Sequence, residues 1–190
     1  MLYTAVDVGY KNLGLIQVEV NSDGTELIGP VFMKKIDISR IPHNCVQVCN
    51  CTIPHTNETA DHVAHFIQEY RYIFDSSDLI LMERQPPLGL TNIEAILFYV
   101  FRDKMKLISP NSIHYHFGFS HLGYEDRKER VVSIASKHVT LPEIERKHDI
   151  ADAFCMILYE LQKNKLKLRK VEENKRLPFD NYRFNAEGMV

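Results

Sequence analysis

The sequence predicts one α/β domain: a mixed five-stranded sheet, antiparallel over its first three strands and parallel thereafter, flanked by helices. Two features of the element order carry this expectation. Three strand-like segments joined by short turns come first, and apolar segments then alternate with helical patterns, as when helices pack on the faces of a sheet. A chain of 190 residues is long enough to bury one core and lies in the usual range of a single domain.

Tyr3 to Val6 and Gly14 to Val20 read as a hairpin turning through Gly9, Tyr10, Lys11 and Asn12. The Asn21, Ser22, Asp23, Gly24 cluster is a second turn signal, and Val31 to Ile38 makes a third strand. Pro42 to Glu58 lacks a period and reads as a loop. From Thr59, the positions Val63, Phe66, Ile67, Tyr70, Ile73 and Phe74 recur at helical spacing. Asp78 to Met82 reads as a buried parallel strand ending at Glu83. Thr91 opens the next helix, with Glu94 three residues on as the partner of a capping box and Ile93, Ile96, Leu97, Val100 and Phe101 as the apolar side. Leu107 and Ile108, stopped by Pro110, suit the last strand. Helices are expected from about Asp126 to His138 and from about Asp149 onward.

Composition narrows the function classes. Hydrophobic residues at 45% and charged residues at 25% exclude a wholly disordered or fibrous chain. No apolar run approaches the roughly 18 residues that span a bilayer, and the start of the chain has no secretory pattern. The four cysteines are therefore read as reduced thiols of an intracellular protein. The net charge of −2 offers no global attraction to a polyanion, so nucleic-acid binding has to come from local clusters.

The candidate chemistry lies in four carboxylates. Asp7 ends the first strand just before Gly9, and Glu83 ends the strand Asp78 to Met82. Asp149 and Asp152 stand three apart at the start of a helix, so both leave one turn of it. Taken singly, each fits a turn former or a helix cap. Together, four carboxylates from three segments repel unless compensated, and their natural partner is a hard cation with oxygen ligands, Mg2+ above all. Two such ions suit in-line hydrolysis of a phosphodiester.

This ordered set resembles the RNase H-fold, RuvC-like Holliday junction resolvases, and most of all their poxvirus and large DNA virus branch. Val6-Asp7-Val8-Gly9-Tyr10-Lys11-Asn12 resembles the first motif and Met82-Glu83-Arg84-Gln85-Pro86-Pro87 the second. Ile108-Ser109-Pro110-Asn111 and His116-Phe117-Gly118 follow in order. Asp126 to Arg130 and Lys147-His148-Asp149-Ile150-Ala151-Asp152-Ala153 complete a likeness over roughly residues 3 to 162.

The Lys and Arg residues from Lys163 mark 163–190 as a basic helical extension and tail, read as a solvated helix end or, second, as a DNA-backbone contact. The resemblance implies an RNase H-like nuclease domain over 1–162. It implies a metal-dependent endonuclease that resolves four-way and related branched DNA, with two Mg2+ per site, Mn2+ as a substitute, and a homodimer for paired nicks. Asp7, Glu83, Asp149 and Asp152 would bind the metals, with Lys128 as the fifth catalytic residue near the scissile phosphate. Lys11, Asn12, Arg84, Gln85, Arg127 and Arg130 are the expected DNA contacts, and the helix from Thr91, with Phe98 and Tyr99 off its main stripe, is the expected dimer face. A viral chain would work in host cytoplasm or nucleus. No membrane contact or small-molecule cofactor is expected.

Two other readings stand beside it. A non-catalytic branched-DNA module would keep the fold without the reaction. An actin-like ATPase also places Asp-x-Gly after a first strand, but 190 residues do not hold its second lobe. His43, Cys45, Cys49, Cys51 and His55 lie close in sequence, yet lack paired Cys-x-x-Cys knuckles, so loop thiols are favoured over a zinc site. His114, His116 and His121 read as a solvated stretch or as DNA contacts.

Overall fold

The computed structural model describes residues 1–40, 56 and 58–176. The Cys/His group at 43–55 lies outside them. Three strands open the chain, β1 (Leu2–Asp7), β2 (Leu13–Val20) and β3 (Leu27–Ile36), followed by helices α1 (Thr59–Glu69) and α2 (Arg71–Ser76). Then β4 (Leu79–Glu83), α3 (Thr91–Phe101), β5 (Met105–Ile108), α4 (Pro110–Phe117), α5 (Tyr124–Ala135) and α6 (His148–Arg176) alternate. The sheet order is β3-β2-β1-β4-β5. β1 pairs antiparallel with β2 and parallel with β4, β2 pairs antiparallel with β3, and β4 pairs parallel with β5. The predicted fold class is the observed one.

Side-chain alternation divides the core between the two faces of the sheet. Tyr3, Ala5, Ile16, Val18 and Leu81 face α4, α5 and α6, where Phe119, Val131, Ile150, Phe154 and Ile157 complete one cluster. Val6, Leu13, Leu15, Ile80 and Met82 face the other way onto Phe66, Phe74, Leu97 and Phe101 of α1 to α3. β1, β2 and β4 are therefore covered on both sides, which is why they read as nearly continuous apolar runs.

Several local expectations change. β3 begins at Leu27 rather than Val31 and carries Pro30; as an edge strand it tolerates a residue without an N–H. The helical run from Thr59 breaks at Tyr70 into α1 and α2. The capping box at Thr91 does not form: Leu90 is the N-cap, without a side-chain cap. Glu94 instead accepts the backbone N–H of Gln85, a donor freed where β4 ends. Val100 is exposed rather than on the buried side, which holds Ile93, Leu97 and Phe101.

The stretch after β5 is the helix α4, with Pro110 in its first turn and Gly118 as a left-handed C-cap at φ +73°. His114 and His116 lie on this helix and not in a loop. α5 spans Tyr124–Ala135, two residues earlier at its start than expected, and α6 runs unbroken past residue 163. No helix among the described residues is long and apolar enough to cross a membrane.

Candidate metal and phosphodiester site

The register of two central strands builds half of the site. Val6 pairs with Met82 in the parallel β1–β4 ladder, so Asp7 and Glu83 follow side by side at the carboxyl ends of their strands. Alternation from Tyr3, Ala5 and Leu81 sends both carboxylates to the face that α6 covers. The end of a sheet where strands diverge is where α/β folds leave room for ligands.

α6 supplies the other half by docking its first turn against β2. The close approach requires Gly14: a Cβ there would stand 2.1 Å from the carbonyl oxygen of Asp149. From that turn Asp149 and Asp152 point back toward β1. Asp7, Asp149 and Asp152 each offer an oxygen within 4.8 Å of the others.

Two cations flank the acids. Lys128 Nζ, on α5, donates to Asp152 Oδ2 at 2.5 Å. Arg146, in the turn before α6, donates from Nε to Asp149 Oδ2 at 3.1 Å and from Nη2 to Oδ1 at 3.2 Å. The carboxylates nonetheless crowd one another. Burial, and then the charges of Asp152 and Glu83, push Asp7 well above the usual carboxylate range. Burial and Asp152 raise Glu83, and burial raises Asp152 although Lys128 pulls it back. Lys128 and the adjoining Asp7 side chain offset part of the rise at Glu83. Burial alone would lower the Lys128 ammonium, but Asp152 holds it above its ordinary value. His148, beside Asp149, is lowered chiefly by burial.

This donor set fits a hard divalent cation. Its members are carboxylate oxygens, they gather within the span of a small ion cluster, and their mutual repulsion is what such a charge relieves. Asp7, Asp149 and Asp152 would be the first to hold it, with Glu83 beside Asp7. Asp149 reaches the site while only 3% exposed.

The acids open into a cleft of about 170 Å³ lined by Asp7, Glu83, Asp152, Lys128, Arg127, His114 and Tyr124, with Ile113, Phe119, Val131 and Met156 as an apolar wall. Among the expected DNA contacts, Arg127 lines this cleft, whereas Arg130 lies in a separate groove with Phe117, His121 and Asp126. Lys11 is exposed in the turn after Asp7, and Asn12 is partly buried with its Oδ1 3.5 Å from Lys35 Nζ. Arg84 extends the sheet, donating its N–H to Ile108 at 2.8 Å while its side chain is exposed. Gln85 is partly buried, held by Glu94.

Arg146 and Tyr124 are not singled out by the sequence, and His114 reads there as a solvated residue or a DNA contact. Arg146 carried a signal, a cation three residues before an expected helical Asp. His114 and Tyr124 are placed at the acids only by the packing of α4 and α5 on α6.

No protein-family model matches the sequence, and no curated protein sequence matches it. Solved structures do. The yeast mitochondrial Holliday junction resolvase Ydc2 superposes with a TM-score of 0.61 at 14% identity, over 91% of this chain and 85% of Ydc2. The fowlpox virus Holliday junction resolvase gives 0.57 at 17% identity, covering 86% of this chain and 99% of the viral one. Thermus thermophilus RuvC gives 0.55 at 16% identity, covering 88% and 97%. RuvC of the same bacterium in complex with Holliday junction substrate gives 0.50 at 15% identity, covering 87% and 96%. At these identities the likeness is one of fold, and the five-stranded mixed sheet flanked by helices is what these resolvases share with this chain.

Proposed function

We propose that this chain is a divalent-metal-dependent endodeoxyribonuclease that resolves four-way and related branched DNA by paired, symmetric nicks. The observation that carries this reading is the convergence of Asp7, Asp149 and Asp152, with Glu83 beside Asp7, at the carboxyl ends of two central strands. The resolvase fold of the solved neighbours and the motif order of the sequence support the same reading.

A pair of bound Mg2+ ions, with Mn2+ as a substitute, supplies an activated water and a counter-charge for the leaving oxygen. Asp7, Asp149 and Asp152 hold and orient that charge, and Glu83 shares it from the neighbouring strand. Lys128, 2.5 Å from Asp152, balances the site's negative charge and reaches the phosphate from the α5 side. Arg127 in the cleft, and Lys11, Asn12, Arg84, Gln85 and Arg130 on the surrounding surface, contact the backbone and fix the orientation of the substrate.

Two nicks placed symmetrically on a nearly two-fold substrate call for two copies of the site. Exposed Phe98, Tyr99 and Val100 on α3 give an apolar, aromatic face of the kind a homodimer buries. The nuclease domain spans 1–162, and the basic continuation from Lys163 adds backbone contacts. Processing of viral recombination and replication intermediates is the setting, on the strength of the first two motifs.

The test is incubation of a synthetic four-way junction and a matched linear duplex with protein and Mg2+, alongside Asp7→Asn. Symmetric nicks in the junction, absent with the variant and with chelator, are expected. Equal digestion of the duplex would make it a general nuclease, and tight junction binding without any cut a non-catalytic module.

A further inference from the structure

Asp149 carries an ion pair that its proposed role as a metal ligand does not need. Arg146 takes both of its oxygens, at 3.1 and 3.2 Å, and His148 Nε2 stands 3.3 Å from Oδ1. When the acids are ionised, four carboxylates face two cations, Lys128 and Arg146, and two negative charges remain in excess. One divalent ion cancels them. A second ion leaves the site positive unless a cation moves away or a phosphate arrives.

The two cations are not equally held. The Lys128 side chain is 21% exposed, with Nζ 2.5 Å from Asp152, whereas that of Arg146 is 38% exposed and its contacts with Asp149 are longer. Arg146 also stands in a turn at φ +60°, which an L residue keeps only at a cost. Relaxation of that turn offsets part of the loss when the ion pair opens. The guanidinium has somewhere to go. It borders a groove shared with Glu125, Glu129, Lys147 and His148, and Lys128 lines both this groove and the catalytic cleft. A DNA strand that leaves the cleft past Lys128 therefore passes Arg146, whose planar fork suits a phosphate as well as a carboxylate.

We propose that Arg146 is a displaceable counter-ion. It neutralises Asp149 in the metal-free protein, and when divalent ions load the acids it passes to a backbone phosphate of the bound strand. Arg146 thus couples metal loading to the grip on DNA, and a coupling of this kind runs both ways. The inference rests on the metal-dependent nuclease reading above and adds to it a residue outside the acidic quartet and Lys128. An arginine that merely orients Asp149 predicts the opposite, because its removal loosens a ligand and weakens metal binding.

Ca2+ binding to the full-length wild type and to Arg146→Gln is measured by calorimetry, and the affinity of each for a four-way junction is followed against salt, in Ca2+ and in EDTA. The variant is expected to bind Ca2+ about threefold to tenfold more tightly, since a like charge beside the ion is gone. In Ca2+ the log–log salt slope of the wild type should exceed that of the variant by about one phosphate contact. In EDTA, where Asp149 holds the guanidinium, the two slopes should coincide. Should the variant fail to fold, the wild type decides through the NMR signal of the Arg146 Nε–H. That proton should exchange slowly in EDTA, rapidly with Ca2+ alone, and slowly again once junction is added. Ca2+ affinity equal or weaker in the variant, slopes that coincide in Ca2+ or differ equally in EDTA, or an Nε–H unmoved by Ca2+ overturns the displacement and leaves the nuclease reading standing. A wild type that neither binds Ca2+ nor cuts the junction in Mg2+ overturns both.

Discussion

Arg146 grips both oxygens of Asp149, Nε to Oδ2 at 3.1 Å and Nη2 to Oδ1 at 3.2 Å, from a backbone at φ +60°. It is the one non-glycine residue with positive φ among the described residues, a conformation that L side chains adopt at a cost. The ion pair therefore holds the turn as well as the acid. Arg146→Ala removes the partner of a buried carboxylate. Because the guanidinium is itself partly solvated, the loss lies between the values for exposed and buried pairs, about 1–2 kcal/mol. Urea denaturation of the metal-free variant checks it. Under the proposed metal role of Asp149, saturating Mg2+ recovers much of the loss.

The acids make stability depend on pH in the direction opposite to most carboxylates. Asp7, Glu83 and Asp152 lie above their ordinary values, 3.8 for Asp and 4.5 for Glu, so the folded state binds their protons more tightly than the unfolded chain does. Their protonated forms favour folding, fully so below those ordinary values, and the contribution is lost as pH rises through the raised folded ones. Metal-free protein is expected to show a rising contribution to Tm from this site as pH falls from neutrality toward the ordinary carboxylate range. Excess Mg2+ should flatten that slope, since protons and cation compete for the same oxygens. A slope unchanged by Mg2+ in calorimetric scans would count against the site.

Asp7→Asn separates folding from function. The substitution deletes the charge that Asp152 and Glu83 repel, so the metal-free variant should melt higher than the wild type. Junction cleavage should meanwhile fall by a factor of about 10³ or more. Parallel melting and single-turnover assays report the two effects, and a variant that loses activity by unfolding would instead melt lower.

Lys128→Met keeps most of the side-chain volume and removes the cation that lowers Asp152. Asp152 then rises further, and the acid limb of the pH–rate profile moves to higher pH. A loss of rate with an unmoved limb would mean that Lys128 acts on the substrate alone.

Gly14→Ala tests the docking of α6 on β2. The added Cβ meets the carbonyl of Asp149, which is backbone and cannot rotate away. The first turn of α6 must shift, at a cost of about 1–3 kcal/mol. Because that turn carries Asp149 and Asp152, Ca2+ affinity measured by calorimetry should weaken along with stability.

Local chemistry in the sequence was enough for the alternation of strands and helices, since period and turn residues act over a few positions: the apolar runs Tyr3 to Val6 and Asp78 to Met82, and the stripe from Val63 to Phe74. The pairing of Asp149 and Asp152 was equally legible, because three residues along a helix always return a side chain to nearly the same side. The meaning of Pro110 was not. A proline stops a strand and also opens a helix, and only the packing of Ile113 beneath α6 decides between them. Nor could spacing place β4 beside β1, 76 residues apart at the contact of Tyr3 with Leu79, or set the register that aligns Asp7 with Glu83. Those depend on which faces bury together across the whole chain. The same packing brought Arg146 to Asp149 and laid an apolar wall beside four carboxylates that the sequence presented only as separate strand ends and one helical turn.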